Sequence, residues 1–217
     1  MRSSAAFLLA AAAACSVHAA PGDPPCHQFG VNKLETPCFN LVKRFNSSTG
    51  IQVEVRQYGA DPAHPQFWTQ ANIANSTFRD AETQGFQENF DFISGENSAG
   101  RKIPMTAPVL MRPNGEEGWF NDFFVPASLF NNKDSIPTSP VVGITPMKNL
   151  LVATTGFGGF ATEAEFQTTT VTLLKAVAEA GYDVVPDAFE QVWAQYDSPF
   201  TLFNRHNEVW VHVAPAA

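Results

Sequence analysis

After an apolar stretch at residues 150–155, the chain passes through Gly156-Phe157-Gly158-Gly159-Phe160-Ala161 into a helix-like segment. The order G-x-G-x-x-A is that of a dinucleotide loop, in which glycines let backbone approach a pyrophosphate at a helix N-terminus. Asp183 and Asp187 follow at about the twenty-residue distance of a ribose-binding carboxylate. The chemistry would be hydride transfer by an NAD(P)-dependent oxidoreductase using the 156–161 loop. Three features oppose that reading. The unit lies late in a chain of 217 residues, leaving little sequence for a doubly wound sheet. Glu163 and Glu165 put negative charge in the first helical turn, where phosphate would sit. Phe157 and Phe160 add bulk beside the ligand. Glycines that merely allow a tight strand-to-helix turn explain the same run. G-x-S-x-G, H-E-x-x-H and G-x-x-x-x-G-K-[ST] are missing from the sequence, so hydrolase-elbow, zincin and P-loop chemistry have no carrier.

Outside the first twenty residues the histidines are His27, His64, His206 and His212, none at helical ligand spacing. A lone axial metal ligand needs no spacing, which leaves His64 and His206 as weak metal candidates. Residues 1–19 read as a signal peptide: Arg2 is the basic start, residues 5–17 are a short apolar run, and Val17-His18-Ala19 is a small-residue cleavage pattern. The apolar run is too short to span a bilayer. Removing it removes Cys15 and leaves Cys26 and Cys38. An even pair in an exported chain reads as a disulfide, worth ~2–3 kcal/mol by loop closure. Two metal thiolates are the rival reading, with no partner set in the sequence. The expected location is secreted, or the lumen of the secretory pathway. Asn46-Ser47-Ser48 and Asn75-Ser76-Thr77 are glycosylation sequons consistent with it. The formal charge of −8 argues against nucleic acid and anionic membrane surfaces as partners.

The elements that must position these residues follow from periodicity. Residues 20–48, rich in proline, form a disulfide-pinned arm, and residues 49–217 a single domain. Alternation at Ile51, Val53 and Val55 predicts a strand, residues 67–73 a second. A helix is expected over 79–94, with Phe78, Glu82, Phe86, Phe90 and Ile93 on one face and Gly95 as its stop. Residues 103–111 read as a strand broken by Pro104 and Pro108, an edge open to a ligand or a loop. Further strands are expected at 120–125, 141–144 and 150–155. A second helix begins at Thr162, where Glu165 completes a capping box, and ends at Gly181. Strands at 189–196 and 208–213 close the chain. In the last, Val209, Val211 and Val213 share one face, Glu208, Trp210 and His212 the other. The segment Lys102-Ile103-Pro104-Met105-Thr106-Ala107-Pro108-Val109-Leu110 has a weak echo in Ala194-Gln195-Tyr196-Asp197-Ser198-Pro199-Phe200-Thr201-Leu202. The repeat suggests a pseudo-duplicated α+β domain whose halves close around a shared cavity.

Three runs together resemble the SOUL heme-binding protein family: the 102–110 segment, Phe157-Gly158-Gly159-Phe160-Ala161-Thr162-Glu163-Ala164, and Tyr196-Asp197-Ser198-Pro199 with Asn204-Arg205-His206-Asn207-Glu208-Val209-Trp210. The resemblance covers about residues 51–213, and the leader and cysteine-bearing arm are similar to secreted, plant-type members. It implies a distorted eight-stranded antiparallel β-barrel flanked by two α-helices, related in shape to bacterial effector-binding domains. It also implies non-catalytic binding of heme or another tetrapyrrole in an apolar cleft. By motif position, Phe86 and Phe90 correspond to the apolar helix face; Met105 lies in the matched segment, and Lys102 and Arg205, the basic residues nearest the matched runs, are the propionate candidates. Some members present an axial histidine where this chain has Gln57, so heme would be held without it. The roles implied are extracellular carrier, scavenger or sensor. An interaction module of the same fold without heme, and a tetrapyrrole-modifying enzyme, are the other readings. Oligomeric state is not encoded in these features.

Overall fold

The protein is described by a computed structural model over residues 27–29, 33–115, 117–187, 189 and 191–216. Residues 1–19, read above as a signal peptide, and Cys26 lie outside the described residues. Its elements in order are β1 (His27–Phe29), β2 (Leu34–Thr36), β3 (Phe39–Asn46), β4 (Gln52–Tyr58), β5 (Gln66–Ile73), α1 (Phe78–Ser94), β6 (Val109–Pro113) and β7 (Trp119–Phe124). They continue as β8 (Val142–Met147), β9 (Leu150–Gly158), α2 (Glu163–Glu179), β10 (Tyr182–Val184), β11 (Val192–Gln195) and β12 (His206–Pro215).

One curled antiparallel sheet, a half-barrel, has the order β3-β4-β9-β12-β11-β6-β7-β5-β8, with β10 added on β12 and β1-β2 as a separate hairpin. The duplication is visible in that order. In chain order β4 and β5 precede α1 and β6 and β7 follow it, while β8 and β9 precede α2 and β11 and β12 follow it. From the central β6–β11 pair, the sheet reads β6-β7-β5-β8 one way and β11-β12-β9-β4 the other. The first strand of each half thus ends the other half's sheet. Eight strands form the duplicated core, as the resemblance implies, and β3 and β10 are additions. The two echoed segments meet at the centre, where Leu110 pairs with Ala194 and Met111 with Trp193.

The structure redraws two expected boundaries and agrees with the objections to the dinucleotide reading. The arm does not extend to residue 48, because Phe39–Asn46 is an edge strand on β4, bulged between Leu41 and Lys43. Its residues are half-buried or exposed along the strand, so no strict alternation marks it. The 103–111 strand shrinks to Val109–Pro113. Its proline-broken front part is covered by the arm: the Ala107 N–H donates to the Glu35 carbonyl (3.0 Å), and the Glu35 carboxylate accepts from the Ser128 N–H and hydroxyl. The glycine run is no phosphate loop. Gly156 and Gly158 are ladder positions of β9 opposite Glu208 and His206, in an antiparallel sheet where a doubly wound fold needs parallel strands. A Cβ on Gly156 would stand 2.8 Å from the His206 ring; glycine is there for close packing.

Each helix begins with a threonine cap. The Thr77 hydroxyl accepts from the Asp80 N–H, and at α2 Thr162 and Glu165 form the reciprocal capping box. Both helices pack on the face carrying Val53, Val55, Val209, Val211 and Val213, where Phe166 stacks on Trp193 at 4.9 Å. The α1 stripe is rotated from the expected one. Phe78, Ala81, Gly85, Asn89 and Phe92 are buried, whereas Phe86 is half-buried and Phe90 is 42% exposed. The physical reason is Gly85, whose missing Cβ would lie 2.5 Å from the Asn121 Cβ, and Asn89, whose amide donates to the Asn121 carbonyl (2.8 Å). Hydropathy cannot mark a glycine and an asparagine as the contact face. Gly85→Ala gains up to ~1 kcal/mol of helix propensity but overpacks a backbone-close contact costing ~1–3 kcal/mol. The expected outcome is net destabilisation, read as a lower urea midpoint.

Candidate functional site

On the sheet face away from the helices, β4 and β12 bring together Arg56, Tyr58, Glu208 and Trp210, joined by Tyr196 and His206. Glu208 is 4% exposed, and its carboxylate accepts from five donors. Arg56 supplies both Nη1 and Nη2 at 3.0 Å, the Tyr196 hydroxyl and Trp210 Nε1–H each lie at 2.7 Å, and His206 Nε2 lies at 3.0 Å. Arg56 Nε donates to Glu54 at 2.8 Å, its guanidinium lies over Phe39, and Tyr58 stacks on Trp210 at 5.0 Å. Burial alone would raise the Glu208 carboxyl, but the His206 hydrogen bond and the Arg56 charge outweigh it and hold it down at about 2. Burial pushes the Tyr58 and Tyr196 hydroxyls up, so both stay protonated. A carboxylate that accepts from five donors has no lone pair left for a substrate proton. The knot ties β4 to β12 through buried, mutually satisfied charges. Its only sequence signal was a charged residue alternating with apolar ones in β12, a pattern that normally marks a solvated face; here both faces are covered.

The predicted binding residues divide into two places. Phe86 and Phe90 stack with ring centroids 5.8 Å apart and planes 13° apart. Phe86 also packs on Phe123 at 5.1 Å, in the cluster that Met105 joins from the chain following α1. Lys102 is exposed and precedes Ile103, a buried member of that cluster whose N–H donates to the Ile93 carbonyl. Phe86, Phe90, Met105 and Lys102 therefore share the α1 flank. Arg205 is elsewhere: it is 9% exposed, its guanidinium donates to the Ser198, Thr201 and Asp197 carbonyls, and it lies over Phe160. Its donors hold the 197–201 turn.

Gln57 and His64 are brought together in a pocket of about 20 Å³ with Cys38 and Gly59, far smaller than a macrocycle. His64 Nδ1 pairs with Asp61 at 2.8 Å, and the Gln57 amide donates to the Asn149 side chain at 3.4 Å. Among the described residues, no group of three His, Cys, Asp or Glu side chains is placed to hold a metal, and no helix is long and apolar enough to cross a membrane. The sequon residues Asn46 and Asn75 are both exposed.

Comparison with known proteins agrees with this architecture. Human heme-binding protein 2 is 29% identical over 183 residues, covering 82% of this chain and 85% of that protein. Heme-binding protein 1 of Xenopus laevis is 23% identical over 169 residues, covering 74% and 83%. Among solved structures, the C-terminal domain of EcmrR aligns with a TM-score of 0.54 at 11% identity over 76% of this chain and 99% of that one, a likeness of fold alone. The family model of the SOUL heme-binding proteins matches residues 34–212, from β2 to β12. The chain belongs to the SOUL heme-binding protein family.

Proposed function

We propose that this protein binds heme or a related tetrapyrrole, without turning it over, on the α1 flank, as an extracellular carrier, scavenger or sensor. The observation that carries the reading is the Phe86–Phe90 stack. Two parallel rings on a helix, one of them 42% exposed, offer a flat apolar face of the kind a porphyrin buries at ~25 cal/mol per Å². Met105 packs against the same cluster as Phe86, and the exposed Lys102 ammonium suits a propionate. Arg205, spent on three carbonyls of the 197–201 turn, lies away from this flank. Heme would bring an iron centre, and with Gln57 in place of the family's histidine the protein holds the group by apolar burial and charge. Export through the 1–19 leader and a Cys26–Cys38 bridge belong to the same reading, supported by Cys38 being disulfide-bonded.

A second reading, an extracellular interaction module of this fold without heme, is favoured by the 197–204 turn, where Phe200, Leu202 and Phe203 are 89%, 67% and 80% exposed. Hemin titration of the mature protein separates the two. A saturable Soret shift at one equivalent is expected, and Phe86→Ala or Phe90→Ala should weaken it roughly tenfold, a loss of ~1.4 kcal/mol of apolar contact. Absence of saturable binding at micromolar hemin leaves the interaction module standing.

A further inference from the structure

The sequon Asn75-Ser76-Thr77 lies where β5 hands the chain to α1. Asn75 is exposed, with a left-handed φ of 48°. The next residue is tied down: the Ser76 N–H donates to the Glu117 carbonyl at 3.1 Å and its hydroxyl to the Ile73 carbonyl at 2.8 Å. Beside this segment opens a groove of about 590 Å³ lined by Ser76, Thr77, Pro113, Glu117, Trp119 and Glu163. Its floor is aromatic. Phe78, also in the lining, meets Trp119 edge-on at 5.3 Å, and the half-buried Trp119 pairs in register with Ile73, two residues before Asn75.

We propose that this groove seats the first sugars of an N-linked glycan carried by Asn75. The volume falls in the roughly 300–1,000 Å³ range of small-ligand sites. An N-acetylglucosamine has an apolar C–H face that packs on an aromatic ring, and an acetamide N–H and hydroxyls that donate to carboxylates such as Glu117 and Glu163. The attachment point identifies the occupant: a glycan on Asn75 starts one residue from Ser76, which lines the groove. The sugars would cover the exposed part of Trp119 and hold the β5–α1 junction against β7. The inference rests on the secretory routing proposed above.

The test is expression of the 217-residue chain in a eukaryotic secretory host, with its own leader and in parallel with a replacement leader. Site occupancy is read by mass spectrometry. Hydroxyl-radical labelling of Trp119 is then compared before and after enzymatic removal of the glycan, with Asn46→Gln leaving Asn75 as the one sequon. Removal is expected to raise Trp119 labelling several-fold and leave the buried Trp193 unchanged. An unoccupied Asn75 in the secreted chain, or an occupied Asn75 with equal Trp119 labelling in both forms, overturns the proposal. Export with the replacement leader but not with the native one overturns the routing, and with it a natural role for this glycan, while the labelling comparison still reports on the groove.

Discussion

Arg56→Ala is expected to destabilise the protein by ~3–5 kcal/mol, the range for breaking a buried ion pair from one side. Without the guanidinium, Glu208 loses two of its five donors and Glu54 loses one. The carboxylates then remain in a region shared with Trp210 and Tyr58, both at most 1% exposed. The cost comes mainly from the uncompensated charge and less from the lost contact. The double variant Arg56→Met/Glu208→Gln should therefore lose less than Arg56→Ala alone, because it removes both charges and keeps most of the volume. Urea unfolding at neutral pH measures both. An Arg56→Ala variant within 1 kcal/mol of the wild type, by the same scale of buried-pair costs, would show that the knot does not stabilise the fold.

The same carboxylate predicts an acid-sensitive component of stability. Glu208 is held at about 2 against an ordinary 4.5. Because the folded-state value is depressed, the stabilisation is fully present above pH 4.5 and is lost as pH falls toward 2. Its size is on the order of 3 kcal/mol. Glu54, also lowered against its burial by Arg56 and Arg44, adds in the same direction. Glu208→Gln should be less stable than the wild type at pH 7, and the gap should narrow steadily between pH 4.5 and 2, where wild-type Glu208 becomes neutral as well. Equilibrium unfolding of both proteins at pH 7, 4 and 2.5 gives the comparison. A gap that stays constant across that range would remove Glu208 as its source. These two experiments leave the α1 flank untouched, so hemin affinity can be read independently of them wherever the variants are folded.

Much of the scaffold was legible because its signals are local. Thr162 and Glu165 announce a helix start by chemistry that acts within one turn, and Gly95 and Gly181 mark helix ends with the positive φ that glycine tolerates. Alternation in β4 and β12 reports a strand wherever it packs, although in β12 both faces are covered. The duplication was legible too, as two proline-bearing segments whose strands pair at the centre of the sheet. Three runs of residues identified the family, and with it the eight-stranded core.

What the sequence determined by itself is the set of elements, their duplication, the family and the residue types offered to a ligand. Tertiary structure alone decided how those residues are spent. The position of Gly85 against Asn121 turns α1 so that Phe90 faces outward. The 197–201 turn takes up Arg205, and the arm through Glu35 covers the segment that two prolines leave open. Glu208 becomes the centre of a closed knot because Arg56, 152 positions away, lies two strands across the sheet, with only β9 between β4 and β12. Helix caps and strand alternation depend on neighbours in the chain and can be read from it. The allocation of a guanidinium, a carboxylate or a ring depends on which distant group arrives beside it, and only the folded sheet sets that.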